Sequence, residues 1–304
     1  MRVEQSFRAH RFVQQVLKLK PFSCERGQRW RDRGFSWQRQ RCVFELDRYS
    51  VGLIHRALAK EFVVRHHYSG SWPAVIHQMG MYDHAGVRPR LVGVAALSYP
   101  TSNASLIRAF PHLEVGSQSL VLGRFVLLDD VPLNGESWAL AETLRLAAGL
   151  GLRAVLAYAD PVARVAADGT IIMPGHDGIG YRSCNALYLG RTAARPMWLL
   201  PDATTIPERS LQKVRAGEPS AEHTVRRLLA AGASPRRHGQ SRRDWLAQAL
   251  SEAGAIKTRH GGNHRFAWTI GARHQRFRIT IGVPIIPFPT VHRAGHAADA
   301  SARW

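Results

Sequence analysis

The residues best equipped for chemistry crowd into Tyr158–Gly190, which reads Y-A-D-P…G-H-D-G-I-G-Y-R-S-C-N-A-L-Y-L-G. The apolar run 152–158 predicts a buried strand that stops at Asp160 and Pro161, so a carboxylate stands where a strand ends and a loop opens. His176, Asp177, Tyr181 and Asn185 follow, spaced by Gly175, Gly178 and Gly180, whose missing Cβ atoms would let a ligand come close to the backbone. Acid, imidazole, phenol and amide around one strand end can bind a polar substrate and move a proton. A second group is His66-His67-Tyr68-Ser69-Gly70-Ser71. By itself a doubled histidine in a loop is more commonly solvated, but with Asp160, His176 and Tyr181 it gains weight. Two histidines and a carboxylate would suit iron or a similar divalent ion, with His67 and Asp160 as ligands. Histidine with tyrosine and aspartate would equally suit proton transfer without a metal.

A third constellation lies between these two. The run 119–128 predicts a strand carrying Arg124, and Asn134, Gly135 and Ser137 precede a predicted helix over 138–149. A strand, a turn and a helix start present free N–H groups and a positive dipole end, which can hold a diphosphate, with Arg124 pairing a phosphate. An ordinary helix start capped by Asn134 or Ser137 would look the same.

These segments need a scaffold. The pattern predicts a helix capped by Ser50 and ending near His66, a second short helix over 74–82, strands over 91–98, 119–128 and 152–158, the helix 138–149, and short strands over 186–189 and 197–200. That is an α/β order with a strand–loop–helix–strand unit at its centre. Further on, helices over 221–231 and 242–253 and a hairpin around His260-Gly-Gly-Asn263 suggest a small winged-helix-like module. The expected division is a basic extension (1–48), a catalytic domain (49–204), a basic DNA-binding module (205–282) and a flexible tail (283–304).

Charge supports this division. The net charge of +20 is uneven: residues 1–48 carry 12 basic against 5 acidic side chains, 49–204 carry 13 against 11, and 205–304 carry 17 against 6. A near-neutral body with basic flanks is the layout of an enzyme that grips a polyanion. In the first flank Trp30, Phe35 and Trp37 stand among arginines, which suits stacking on bases, although an unstructured extension or an upstream start codon would serve as well. Three cysteines without a C-x-x-C pair suggest neither a disulfide framework nor a zinc knuckle. The first residues lack the apolar core of a secretory signal and no apolar run has membrane-spanning length, so a cytoplasmic protein without membrane contact is expected.

The strand–turn–helix unit resembles the coenzyme A site of Gcn5-related acyltransferases, although Leu133-Asn-Gly-Glu-Ser departs from that family's glycine-rich loop. Five pieces together resemble the Mom DNA-modification proteins of Mu-like phages across residues 50–200: His-Tyr-Ser after a helix, Leu-Gly-Arg-Phe ending a strand, Asn-Gly-x-Ser, Ala-Asp-Pro, and Gly-His-x-Gly…Tyr…Asn. The segment His-x-Gly-Asn-His-Arg-Phe-Ala-Trp resembles a basic extension of actinophage relatives. This resemblance implies a Gcn5-related acyltransferase-like mixed sheet and conversion of adenine in double-stranded DNA to N6-carbamoylmethyladenine, which shields phage DNA from restriction. It implies catalytic roles for His67, Tyr68, Asp160 and Tyr181, and substrate contacts from Ser69, His176 and Asn185. Arg124, Asn134, Gly135 and Ser137 would hold acetyl-CoA or a related acyl donor, and iron is a further cofactor to test. Two other readings compete: an acyl-CoA-dependent N-acetyltransferase acting on a protein or small amine, and a DNA-binding protein without catalysis.

Overall fold

The computed structural model describes residues 26–31, 34–39, 44–166, 168–169, 171–173 and 175–289. Its centre is a seven-stranded mixed sheet. Strands β3 (Tyr49–Leu53), β4 (Val75–Asp83), β5 (Arg90–Ser98) and β6 (Ser119–Leu127) form an antiparallel series. β7 (Ala154–Ala159) then pairs with β6 in parallel, after a crossover through α3 (Gly135–Gly149). Ahead of these, β1 (Arg26–Arg31) and β2 (Gly34–Arg39) form an antiparallel ladder of their own.

The apolar runs 91–98, 119–128 and 152–158 form strands because both faces of the sheet are covered. Along β7 the side chains alternate: Val155, Ala157 and Ala159 pack with Leu140, Leu144 and Ala147 of α3, while Ala154 and Leu156 pack with Leu106 and Phe110 at α2 (Ala104–Ala109). On the α2 side, α1 (Arg56–His66) sets Ala59, Phe62 and Val63 against Val94. Each fully buried leucine contributes about 1.5–3 kcal/mol relative to exposure.

Two sequence expectations fail here. The helix predicted from Ser50 is β3 followed by α1, which starts at Arg56 with the His55 ring accepting the Ala57 N–H at 3.3 Å. The short helix predicted over 74–82 is β4, the partner of both β3 and β5. Their apolar residues fit either period, and only the neighbouring strands decide between them.

The C-terminal half departs further from the expected division. β10 (Leu187–Arg191) is an edge strand, and the chain then leaves the sheet to build a separate unit. This unit joins β11 (Arg195–Leu199), β12 (Thr205–Pro207) and β13 (Ile256–His260) in a three-stranded sheet with α5 (Glu208–Ala216), α6 (Glu222–Ala230) and α7 (Arg242–Glu252). Its core of Ile206, Leu211, Leu228, Trp245 and Leu246 is its own. The chain then returns as β14 (His264–Thr269), which slots between β7 and β10 in the main sheet. β13 and β14 are therefore not a hairpin: one pairs with β11, the other with β7 and β10. The body is residues 44–191 with 264–289, interrupted by an inserted subdomain at 195–260. Of the expected tail, Val283 and Phe288 pack on the core and the Ile286 N–H donates to the Tyr188 carbonyl at 3.0 Å; residues 290–304 lie outside the described ones. No helix among the described residues is long and apolar enough to cross a membrane.

Candidate active site

β6 and β7 pair over only three residues, Ser119↔Ala154 to Val121↔Leu156, although β6 runs on to Leu127 and β7 to Ala159. Beyond Val121 the two strands form a fork, with backbone N–H and C=O groups facing the gap. At the branch β6 also bulges against β5: Ala96 faces Arg124 but Leu97 faces Leu122, leaving Gly123 as the extra residue. A Cβ there would crowd the Ser98 hydroxyl and the Pro73 ring, so any larger residue would make Ser98 shift, and the bulge re-aims Arg124.

Arg124 ties the loop after α1 to the fork. Its Nε–H donates to the Ser71 carbonyl at 3.0 Å and Nη2 to the Ser71 hydroxyl at 2.7 Å. It belongs to no ion pair among the described residues. Burial lowers its pKa, an effect partly offset by the phenols of Tyr68 and Tyr181. The same loop carries His67, whose ring lies 4.2 Å from that of Tyr68 at a tilt of 31°. The Ser69 N–H donates to His67 Nδ1 at 3.1 Å, so the ring proton of the neutral imidazole sits on Nε2. Burial, with the Arg124 and His176 charges, drives the His67 pKa down to about 3. His67 is thus a neutral ring at physiological pH, with Nδ1 accepting from Ser69 and the N–H at Nε2. Tyr68 keeps 44 % of its surface exposed. Burial still raises its phenol pKa; Arg124 opposes the rise and Asp160 adds to it.

From the other side come β8 (Arg164–Val165), β9 (Ile171–Met173) and α4 (Ile179–Ser183), which follow β7. The Tyr181 ring meets His176, Phe266 and Trp268 edge-on at 6.2, 5.6 and 5.6 Å. Burial raises its phenol further, and Tyr68 and Arg124 lie within its field. Burial lowers the His176 pKa; Asp160 and Asp177 oppose that shift and His264 adds to it. His67, Tyr68, Arg124, His176 and Tyr181 therefore converge on the mouth of the fork from three separate segments.

Asp160 stands at this mouth in a supporting position. Its Oδ1 accepts from the His260 ring at 2.8 Å and the Val162 N–H at 3.1 Å, and its Oδ2 accepts from Arg164 at 2.6 Å. Burial alone would raise the carboxyl, but these donors hold it below its usual range. A carboxylate so engaged is a poor metal ligand. Among the described residues no group of three or more His, Cys, Asp or Glu could hold a metal ion, so the pairing of His67 with Asp160 around iron finds no support.

The remaining candidates sit apart or are differently occupied. Asn185 ends α4 with φ +56, its N–H donating to the Arg182 carbonyl at 3.0 Å. Ser69 caps the His67 ring. At the start of α3, Asn134 makes no side-chain cap, the Ser137 hydroxyl turns back to the Asn134 carbonyl at 3.0 Å, and a Cβ at Gly135 would strike Val131. Glu136 lies in the first turn and Asp129 and Asp130 in the loop before it, so a diphosphate would meet carboxylates there. That helix start fits a diphosphate poorly; at the fork, the Gly123 carbonyl accepts from Arg124 Nη1 at 2.6 Å. Two of the three glycines of the 175–180 loop serve packing and leave no room for a ligand: a Cβ at Gly175 would lie 2.7 Å from the Pro161 carbonyl oxygen, and one at Gly178 (φ +75) would enter the Phe266 ring, whereas one at Gly180 would meet nothing within 4 Å. Of the aromatics that could stack on a base, Tyr68 stands at the mouth, Trp72 packs under α1 and Tyr99 leans on Gly116. Arg164 carries no motif, and His260, although it opens the His-x-Gly-Asn-His segment, is not among the candidate site residues; their contacts with Asp160 reveal both.

No curated protein sequence matches the chain. Among solved structures, a tandem GNAT protein from the clavulanic acid biosynthesis pathway, solved without AcCoA, aligns over 74 % of this chain and 75 % of that one with 11 % identity and a TM-score of 0.31. The sequence profile of the Mom protein family matches residues 48–289, which takes in the body and the inserted subdomain together. The chain belongs to the Mom protein family, the DNA-modification family that its motifs resemble.

Proposed function

We propose that this protein is a transferase that alkylates the N6 amine of adenine in double-stranded DNA to give N6-carbamoylmethyladenine. The convergence of His67, Tyr68, Arg124, His176 and Tyr181 on the mouth of the β6/β7 fork carries this reading. Membership of the Mom family and the basic inserted subdomain support it.

The chemistry needs these residue types. The adenine N6 lone pair is delocalised into the ring, so attack requires close positioning, and the nitrogen must lose a proton as its new bond forms. His176 accepts that proton, with Asp160 and Asp177 favouring the imidazolium. His67 donates from Nε2 to an acceptor on the substrate. Tyr68, half-exposed at the mouth, stacks on an adenine that has left the duplex. Arg124, without a carboxylate partner among the described residues, attracts a carbonyl or phosphate oxygen. The carbon donor is of the class X–CH2–C(=O)NH2: the N6–CH2 bond forms as the CH2–X bond breaks, X leaves with the electron pair and the N6 proton passes to His176, whereas a thioester of the acyl-CoA class acting by simple acyl transfer would give an N6-acyl product instead.

The test is mass spectrometry of nucleosides from DNA recovered from cells expressing the protein. A deoxyadenosine heavier by a carbamoylmethyl group is expected. An acetyl-sized increment would keep the transferase and replace the reaction. Unmodified DNA in cells with abundant folded protein would overturn the reading.

A further inference from the structure

A buried side chain of the inserted subdomain reaches the site. His260 is the last residue of β13, opposite Arg195 on β11, and its side chain is 1 % exposed. The Gly262 N–H donates to His260 Nδ1 at 3.0 Å, which leaves the proton on Nε2, and that N–H points at Asp160 Oδ1, 2.8 Å away. Asp160 is the knot of the loop after β7: besides its carboxylate contacts with Arg164 and the Val162 N–H, its carbonyl accepts the His176 N–H at 2.7 Å. The strands that carry the chain out to the subdomain and back are pinned beside it, Thr192 N–H to the Asn263 carbonyl and Asn263 N–H to the Thr192 hydroxyl, each at 2.9 Å.

Two local donors already hold the carboxylate, so the loop does not need a third from a hundred residues away in order to form. Burying an imidazole costs desolvation that a leucine in the same space would avoid. We propose that His260, although it belongs to the subdomain that grips DNA, is a positioning residue of the active site: it holds Asp160, and through it the loop that presents His176. Seating the subdomain and aligning His176 then become one event. This rests on the function proposed above.

The experiment uses the full-length protein with His260→Ala, His260→Leu, which fills the space without a donor, and His260→Gln, whose side-chain N–H can reach Asp160 Oδ1. Three quantities are read: modified nucleoside formed at saturating duplex, duplex affinity, and hydrogen exchange at the His176 amide. Ala and Leu are expected to slow turnover about 10- to 100-fold, the scale set by small misplacements of catalytic groups, with duplex affinity near wild type and faster exchange at His176. Gln should recover most of the turnover and the slow exchange. Wild-type turnover in Ala or Leu, or equal impairment in all three variants, would overturn the proposal. If the wild-type protein makes no modified nucleoside, the functional reading has failed and exchange alone decides: faster exchange in Ala and Leu but not in Gln supports the clamp, and equal exchange removes it.

Discussion

Residues 44–191 of the body carry 13 basic against 12 acidic side chains, whereas the inserted residues 195–260 carry 12 against 6, and the two regions also direct their charges differently. In the body, carboxylates are tied to particular partners: Asp83 to Arg48, Asp160 to Arg164 and His260, Asp177 to Arg182. In the subdomain, Glu208–Arg215 and Glu222–Arg226 pair, while Arg236, Arg237, Arg242 and Arg243 are exposed. Charge in the body fixes internal geometry, so its removal acts at one point and steeply. Charge in the subdomain faces solvent and any polyanion there, so its removal should act additively and depend on salt.

The largest effect is expected where that geometry meets chemistry. His176→Ala should lower modified-nucleoside formation by about 10²–10⁴-fold, the usual worth of a positioned acid or base, with duplex affinity unchanged. Turnover close to wild type would break the division between a catalytic body and a binding subdomain. Next come the cores. Leu140→Ala in the body and Leu211→Ala in the subdomain should each cost about 2–5 kcal/mol, and because the two cores are separate, hydrogen exchange should rise mainly in the region mutated. A uniform rise after either substitution would show that the two regions unfold as one.

Acid sharpens the comparison. The Arg48 hydrogen bond holds Asp83 down to about 2, so its contribution to stability is complete above the unfolded carboxylate range and is lost as pH falls through about 2. Denaturation of Asp83→Asn in that window should be flatter than wild type. The pH–turnover profile between 5 and 8 should carry no limb from His67, since that ring is already neutral; a limb that disappears in His67→Gln would contradict this. The smallest effect belongs to single subdomain charges. Arg242→Ala and Arg243→Ala should weaken binding similarly on any sequence and make the salt dependence shallower by about one unit each, with turnover at saturating duplex intact. A loss of turnover without a change in salt slope would assign these arginines to the body's kind of charge.

Much of the molecule is legible in its sequence. The strands at 90–98, 119–127 and 154–159 show as unbroken apolar runs because a sheet covered on both faces leaves no polar side to mark. α3 shows by its helical period, and the concentration of His176, Asp177 and Tyr181 after a strand end marks one wall of the site. The basic character of 195–260 follows from counting alone.

Tertiary structure decided the rest, because it depends on contacts between residues distant in the chain. β3 and β4 are strands because neighbouring strands supply their hydrogen bonds, and their own residues fit either period. Nothing local announces that β14 leaves its apparent hairpin partner to lie between β7 and β10, or that β13 stays behind in another sheet. The histidines divide in the same way. Sequence supplied imidazoles at 67, 176 and 260; the partners each ring meets on folding gave the first a backbone N–H to accept at Nδ1, set the second beside Asp160 and Asp177, and buried the third against Asp160.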